Sequence, residues 1–339
     1  MLEKQTISIT TSTILRFVAV ILGLYFLYLI RDIVLMLFIA VIIAAAIDGP
    51  VDWLAKHRVR RVFGTAIMYL AIFLLMALFF YLVLPPLAGQ LKILANNLPE
   101  IAGKLGALFS NIEQKIGLTN IQSLLGKASD QLSGAATNIL GTAIDIFGGI
   151  VNAVVILVIS IYLVVQDKGI KNFFAGITPE KHRIYVADLT ERIQEKLGAW
   201  LRGQLIIMFT IGLLSYIGLM LLGVKFALTL ALLAAVFEII PFIGPVLSGA
   251  VAIIIALTQA PFLALLVLIL FIVIQQLEGN IIAPQIMKRA VGLNPLVVII
   301  SLLVGAKLAG LLGMLVAVPL AAVISVLLKD FWAARDIQY

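Results

Sequence analysis

Long apolar blocks are the feature that most constrains how this chain can fold. A helix needs about 20 apolar residues to cross roughly 30 Å of hydrocarbon. Blocks near that length occur at 14–30, 33–47, 62–84, 139–165, 204–222 and 261–277. Hydrophobic residues make up 63% of the 339 residues and charged residues only 12%, whereas the exterior of a soluble protein must carry more charge. The sequence therefore predicts an all-α, polytopic membrane protein with about six ordinary spans.

Two further blocks, 226–257 and 295–328, are longer and are interrupted by Gly and Pro. Pro241 and Pro245 cannot continue a helix, because each lacks a backbone donor and clashes with the preceding turn. The arms on either side reach only about 20 Å at 1.5 Å per residue. We predict that both blocks are re-entrant helical hairpins. The alternative is a pair of proline-kinked spans that cross fully, which would make eight spans.

The second of these blocks has its own pattern of breaks. Gly305, Gly310 and Gly313 interrupt it ahead of Val318-Pro319. Irregular backbone at membrane depth is tolerated only where protein or a watery cavity covers it. Interrupted hydrophobic segments are the best sequence indication of a transport site.

Basic connectors give the predicted orientation. Segment 56–61 holds four Lys or Arg and no acid, and such segments face the cytoplasm. This places the N-terminus inside and a short turn at Arg31-Asp32 outside. It also makes 85–138 extracytoplasmic and 166–203 cytoplasmic.

The same rule favours hairpins over full crossings. If 226–257 crossed once, Lys288-Arg289 would lie outside, against the charge rule. If it turns back, these basic residues are cytoplasmic. Block 295–328 then enters from the cytoplasm, opposite to the first hairpin, and returns there with the C-terminal tail 329–339.

The predicted layout has several units. Helices of 1–84 precede segment 85–138, whose apolar stripe indicates a helix lying on the membrane or packed against a neighbouring subunit. The span 139–165 leads to the amphipathic segment 166–203, and residues 204–328 form the predicted transport core.

Several function classes are excluded by composition. The chain has no cysteine, and its two histidines, His57 and His182, lie in charged connectors. Metal-ligand spacing and a nucleophile-base pair are therefore missing, so no enzyme, metal or cofactor is predicted. The net charge is +7, and the basic residues responsible for it lie between apolar blocks. This position indicates contact with lipid headgroups rather than nucleic acid.

Polar residues inside apolar blocks are costly and mark candidate functional positions. Glu238 could carry a proton or bind a cation, or it could bond the free amides of the hairpin tip. Lys307 could pair with Glu238 or extend to the interface. Gln204 is either interfacial or cavity-lining. A polar cluster at the inner end of 261–277 could line a path or cap the helix: Gln275, Gln276, Glu278 and Asn280.

Three motifs resemble the signatures of the autoinducer-2 exporter (AI-2E) family of bacterial membrane proteins. The first is Glu238 to Pro245 with Gly249. The second runs from Gln276 to Pro284 and continues in Gly292-Leu293-Asn294-Pro295-Leu296. The third joins Gly310-Leu311-Leu312-Gly313 to Ala317-Val318-Pro319-Leu320-Ala321. Gly203-Gln204 and the Tyr162 to Asp167 ending also fit. Lys307 departs from the small residue that relatives usually have near Gly310.

The resemblance implies a multi-pass transporter of the bacterial inner membrane that forms homo-oligomers. The family's named activity is export of autoinducer-2, a small furanosyl diol used in quorum sensing, while some members are described as sodium/proton antiporters. We predict solute export by alternating access at the hairpin tips, with an antiporter, or a non-transporting scaffold or channel, as alternatives. The predicted pathway residues are Gln204, Glu238, Pro241, Phe242, Gly244, Pro245, Gln275, Gln276, Glu278, Asn280, Asn294, Pro295, Lys307, Gly310 and Gly313.

Overall fold

The described part of the chain is built from helices joined by short turns. The computed structural model describes residues 11–86, 89, 149–166, 169–290 and 292–336, and these contain no strand. The helices are α1 Thr11–Leu29, α2 Arg31–Lys56, α3 Arg61–Pro86, α4 Gly149–Val165, α5 Gly169–Gly176, α6 Glu180–Leu221, α7 Ala227–Phe237, α8 Ile243–Gln259, α9 Pro261–Leu277, α10 Ala283–Ala290 and α11 Pro295–Asp336. The all-α prediction is confirmed. Segment 85–138 lies almost wholly outside the described residues.

Several helices are suited to a membrane. By length and composition alone, five described helical runs could cross it, namely α2, α3, α6, the run Pro261–Met287 and the run Pro295–Trp332. The last of these is broken at Ala309-Gly310. The run Val151–Val165 meets Gly169–Gly176 at 93°, and together they would make a sixth. A polytopic membrane protein is thus confirmed.

Helices α1 and α2 differ from the predicted pair of spans. The Ile30 amide donates to the Phe26 carbonyl and the Val34 amide donates to the Ile30 carbonyl, each at 3.0 Å. The helix is interrupted only at Ile30, where φ is −95° and ψ is 10°, and α1 and α2 make little contact with each other. They therefore do not pack as an antiparallel pair, and Arg31-Asp32 forms the first turn of α2 instead of a turn between two spans.

Helix α6 joins two predicted segments into one. It has 42 residues and is about 63 Å long at 1.5 Å per residue, about twice the hydrocarbon thickness. The predicted boundary at 203/204 is therefore not an end of secondary structure, since no proline interrupts the helix after Pro179. Its first half carries mixed charges, and its second half is apolar.

Helices α7 and α8 form a hairpin, called hairpin 1 (227–259). Its two ends meet, because the Lys225 amide donates to Gln259 Oε1 at 3.1 Å. Its tip, 238–242, lies beside the middle of α6, where Gln204 Nε2 donates to the Glu238 carbonyl at 2.5 Å. Block 226–257 therefore turns back on itself, as predicted, and α9 follows as the next long helix.

Helix α11 is a second hairpin, called hairpin 2 (295–336). Its backbone leaves helical geometry at Ala309 and at Gly310, where φ is +58°, a conformation that glycine adopts readily. The arms are in close contact, since a Cβ on Gly305 or Gly313 would collide with the other residue's carbonyl. The break therefore lies at Ala309-Gly310, and Pro319 stays inside the returning arm.

The open ends of the hairpins lie at opposite ends of the bundle. Hairpin 1 opens beside the end of α6, next to Lys225. Hairpin 2 opens beside the charged half of α6, where Arg192 Nη1 donates to Asp330 Oδ1 at 2.6 Å and Tyr185 donates to Asp330 Oδ2 at 2.6 Å. In between, Ile240 of hairpin 1 packs in one buried cluster with residues of α2, α6 and hairpin 2.

A polar network marks the same end of the bundle as Arg192. Arg61 pairs with Asp48 and Asp52, and its Nε donates to the Val164 carbonyl at 2.8 Å. These bonds connect α2, α3 and the end of α4. Directly after α4, Lys171 Nζ of α5 donates to Glu191 Oε2 of α6 at 2.5 Å, next to Arg192. The basic connector 56–61 therefore lies at the Arg192 end of the bundle.

Candidate functional site

A cavity of about 590 Å³ lies where hairpin 1, hairpin 2 and α6 meet. One wall comes from α6, another from the tip of hairpin 1, and the rest from residues 278–298 and from Val318 in the returning arm of hairpin 2. Its lining residues are Trp200, Gln204, Ile207, Glu238, Pro241, Phe242, Glu278, Gly279, Ala283, Pro284, Met287, Gly292, Leu293, Asn294, Pro295, Val298 and Val318. The walls are mostly apolar, with a few polar groups among them.

The tip of hairpin 1 is held in shape by local backbone constraints. Phe242 has a φ of +66°, a strained conformation for a bulky residue. Gly244 packs so tightly that a Cβ would collide with the backbone of Phe237 and Glu238. The Gly244 amide still donates to the Ile240 carbonyl at 2.9 Å. The tip is therefore compact, and it places Glu238 and Phe242 on the cavity.

Helix α7 lies close to α6 because the residues on their contacting faces are small. A Cβ on Gly212 would come within 2.8 Å of the Ala235 Cβ. This close approach lets Gln204 reach the Glu238 carbonyl, which would otherwise lack a helical partner at the end of α7. The sequence left Gln204 as either an interfacial or a cavity-lining residue. The structure shows that it lines the cavity.

Two acidic side chains face each other in the cavity. Glu238 is 0% exposed and Glu278 is 7% exposed. Their carboxyl groups are close enough to interact electrostatically. Glu278 begins a single π-helical turn, Glu278–Ile282, directly after α9, and such turns are frequent at functional sites.

Polar atoms around the cavity lack partners within the described chain. Trp200 Nε1, Gln204 Oε1 and both carboxyl oxygens of Glu238 are buried with no fixed hydrogen-bond partner. The Glu278 carboxyl beside Glu238 can bond to it only when one of the two carboxyl groups holds a proton. Buried polar groups are almost always bonded in native proteins, because an unsatisfied one costs about 1–3 kcal/mol. The described residues contain no group of three or more His, Cys, Asp or Glu that could hold a metal.

The structure brings about half of the predicted pathway residues together. Those that line the cavity are Gln204, Glu238, Pro241, Phe242, Glu278, Asn294 and Pro295. Gly244 and Pro245 are buried in the first turn of α8 behind them. Gln275, Gln276 and Asn280 are exposed on the other side of α9, where Asn280 Nδ2 donates to Gln276 Oε1 at 2.9 Å.

The remaining predicted residues lie at the tip of hairpin 2, away from the cavity lining. Lys307 is exposed and forms no ion pair with Glu238, so the suggested pair between these two residues is wrong. Glu238 is instead fully buried at the other hairpin's tip, between α6 and the π turn. Gly310 and Gly313 shape the turn of hairpin 2 and do not line the cavity.

Sequence reasoning missed several lining residues. Trp200 appears in the sequence only as one apolar position of an amphipathic helix, yet it lines the cavity and its Nε1 is buried without a partner. Pro284 and Leu293 also line it, and both fall inside a motif that pointed to this region. The signal for Trp200 was its position four residues before Gln204, which places both on one helix face.

Comparison with known proteins identifies the family. A family model described as the AI-2E family transporter matches residues 15–332. This chain belongs to the AI-2E transporter family. All three motifs of the resemblance, and every residue that lines the cavity, fall within the matched range.

Curated relatives of this AI-2E transporter cover most of its length. YrrI of Bacillus subtilis strain 168, whose name marks it as a candidate transport protein, is 26% identical over 312 residues, which are 90% of this chain and 88% of YrrI. YueF of the same strain is 27% identical over 290 residues, or 82% and 79% of the two chains. TqsA of Escherichia coli K12, named an AI-2 transport protein, is 28% identical over 309 residues, or 90% and 86%. The family consists of transport proteins, so this chain is a transporter rather than an enzyme.

Proposed function

We propose that this AI-2E transporter exports a small polar solute through the cavity at Glu238, with the two hairpins as gates. The observation that carries the proposal is the set of buried, unpartnered polar atoms on the cavity wall. These atoms lie between two hairpins that open toward opposite ends of the bundle. A solute that bonds to them would offset their desolvation, which is what a transport site at a break between helices requires.

The arrangement of the cavity walls supports an alternating-access mechanism. Gly292, Asn294 and Pro295 are exposed on one side of the cavity, next to the open end of hairpin 2. On the opposite side, Ile240 at the tip of hairpin 1 is buried and closes the cavity. The described conformation thus opens toward the end that carries Arg192, and release at the other end requires hairpin 1 to move.

Autoinducer-2 is the first solute to test, because TqsA is named for its transport. Its hydroxyl groups can donate hydrogen bonds to the carboxyl and amide oxygens that lack partners. The apolar remainder of the lining would contact its ring.

Replacing Gln204 with Leu tests this site directly. The change removes the amide that donates to the Glu238 carbonyl and the unpartnered Oε1. The variant loses two hydrogen bonds, the one to the Glu238 carbonyl and the one that Oε1 offers to the solute, each worth about 1–2 kcal/mol. We therefore expect autoinducer-2 efflux from proteoliposomes to fall by about tenfold or more. The control is Gln285→Leu, which changes an exposed glutamine outside the cavity. Equal efflux in both variants would refute the proposed site.

The proposed location is the bacterial inner membrane, with the Arg192 end of the bundle in the cytoplasm. Basic connectors at that end support this orientation, and the C-terminal arm of hairpin 2 lies there through Asp330. The location of the N-terminus no longer follows from segment 56–61, because α1 and α2 are not antiparallel.

Cysteine labelling checks this orientation, since the chain has no native cysteine. We expect an impermeant thiol reagent applied to intact cells to label Lys225→Cys, at the open end of hairpin 1. Glu195→Cys and Asn294→Cys should react only after the cytoplasmic side is exposed. Labelling of Lys225→Cys and Asn294→Cys from the same side would contradict opposed hairpins.

A sodium/proton antiporter is the second candidate. The close, buried pair of Glu238 and Glu278 favours it, because such a pair can exchange one cation for another. Flux that depends on a sodium or pH gradient and is indifferent to organic solutes would select this function. A scaffold without transport would leave the buried polar cavity unexplained.

A further inference from the structure

The polar groups of the cavity are mostly hydrogen-bond acceptors. Glu238 contributes two unpartnered carboxyl oxygens, and Gln204 contributes an unpartnered amide oxygen. The orientation of Gln204 is fixed, because its Nε2 is already bonded to the Glu238 carbonyl. Three buried acceptors at one wall require a ligand with several donors on one atom or on adjacent atoms.

The ionisable groups of the cavity wall are also all acidic. Two carboxyl groups, Glu238 and Glu278, line the cavity, and the described lining residues include no Lys, Arg or His. Lys307 is exposed at the tip of hairpin 2 and forms no ion pair in the described chain. A buried carboxylate without a counter-charge is strongly unfavourable, so such a group either holds a proton or binds a cation. A cationic ligand would supply the missing counter-charge, whereas an anionic ligand would be repelled.

The size of the cavity distinguishes between kinds of cation. Its volume of about 590 Å³ is in the range of sites for small organic molecules. Most of the wall is apolar, with Ile207, Phe242, Met287 and Leu293 among the lining residues. A bare metal ion would contact only the acidic corner. An organic body attached to the cationic group would fill the rest.

We infer that this cavity binds the ammonium group of a small organic amine. A primary ammonium has three N–H donors, which match the two oxygens of Glu238 and the free oxygen of Gln204. Glu278 adds a second negative charge, and Trp200 Nε1 can donate to a hydroxyl or carbonyl on the same solute. The inference rests on the proposed function in that it assigns a substrate class to the same transport site.

Three probes of the same shape and different charge test the inference by binding. They are phenethylammonium, 2-phenylethanol and phenylacetate, titrated at neutral pH into the detergent-purified full chain. Trp53 and Trp332 are about 60% exposed, so a Trp53→Phe, Trp332→Phe background leaves Trp200 as the only tryptophan and the fluorescent reporter. We expect phenethylammonium to bind at least about tenfold more tightly than the alcohol, the ratio that 1.4 kcal/mol provides, and phenylacetate not to bind.

Two variants test whether binding of the ammonium depends on the acidic wall. Glu238→Gln keeps the shape of the side chain and removes its charge, so the preference for the ammonium over the alcohol should fall severalfold, with Glu278 as the remaining acidic group. Glu195→Gln, on the exposed face of α6, is the matched control and should bind like the parent. Unchanged melting temperature in Glu195→Gln and no loss of folded protein in Glu238→Gln confirm that both variants fold.

The possible outcomes separate this inference from the proposed function. Equal binding of ammonium and alcohol, no binding of any probe, or quenching by sodium alone would each overturn the inference. Autoinducer-2 efflux that depends on Gln204 would still support the proposed function in those cases. Amine binding without flux of any solute would uphold the inference and contradict the transporter mechanism.

Discussion

Glu238→Gln is expected to reduce solute flux by about tenfold or more while making the empty protein more stable. Glu238 is buried against a second acidic group, Glu278, and no residue of the described chain offers it a fixed donor. A buried group of this kind costs about 1–3 kcal/mol in the empty protein. The neutral amide has the same shape and a smaller desolvation penalty. The free energy of unfolding should therefore rise by about 1–2 kcal/mol, and the melting temperature in detergent should rise with it.

The loss of flux in the same variant results from weaker binding of the solute. Hydrogen bonds to a charged group contribute about 1.5–3 kcal/mol, so losing them should reduce flux in proteoliposomes by about tenfold to a hundredfold. Glu195→Gln, an exposed acid on the same helix as Trp200, should change neither quantity. A Glu238→Gln variant that transports normally, or that melts below the parent, would show that this carboxyl is a structural group.

Gly313→Leu is expected to have the largest effect on folding. A Cβ on Gly313 would collide with the carbonyl of Gly305, and a Cβ on Gly305 would collide with the carbonyl of Gly313. Backbone atoms in two arms of one hairpin cannot yield as a flexible side chain can. The arms would have to separate along their contact, at a cost of about 3 kcal/mol or more.

The matched control is Gly23→Leu in α1, where a Cβ would meet nothing within 4 Å. We expect Gly23→Leu to give the same yield of monodisperse protein and the same melting temperature as the parent, and Gly313→Leu to lose most of both. Similar behaviour of the two variants would mean that the close contact between the arms contributes little to stability.

Charge and backbone chemistry made the hairpins predictable. Pro241 and Pro245 prevent a continuous helix, and Lys288-Arg289 distinguishes a turn from a crossing. The position of the second break was harder to place, because Gly305, Gly310 and Gly313 all permit one. The structure uses Gly310 for the positive φ and the other two for close packing.

The pairing of Glu238 with Glu278 could not be read from local sequence. The two residues are far apart along the chain, and each has a local explanation, in a hairpin tip or at a helix end. Only the packing of α7 against α6, and of α9 beside them, brings both to one cavity. The same packing buries Glu238 away from Lys307, which is why opposite charge alone was a poor guide to pairing.

The unbroken course of α6 has a mechanical consequence. The same rigid rod holds the returning arm of hairpin 2 through Arg192 and the tip of hairpin 1 through Gln204. These anchor points are about 18 Å apart along the axis at 1.5 Å per residue. A tilt of the rod would therefore displace both hairpins at once, and its charged half would act as a lever arm on the cavity between them.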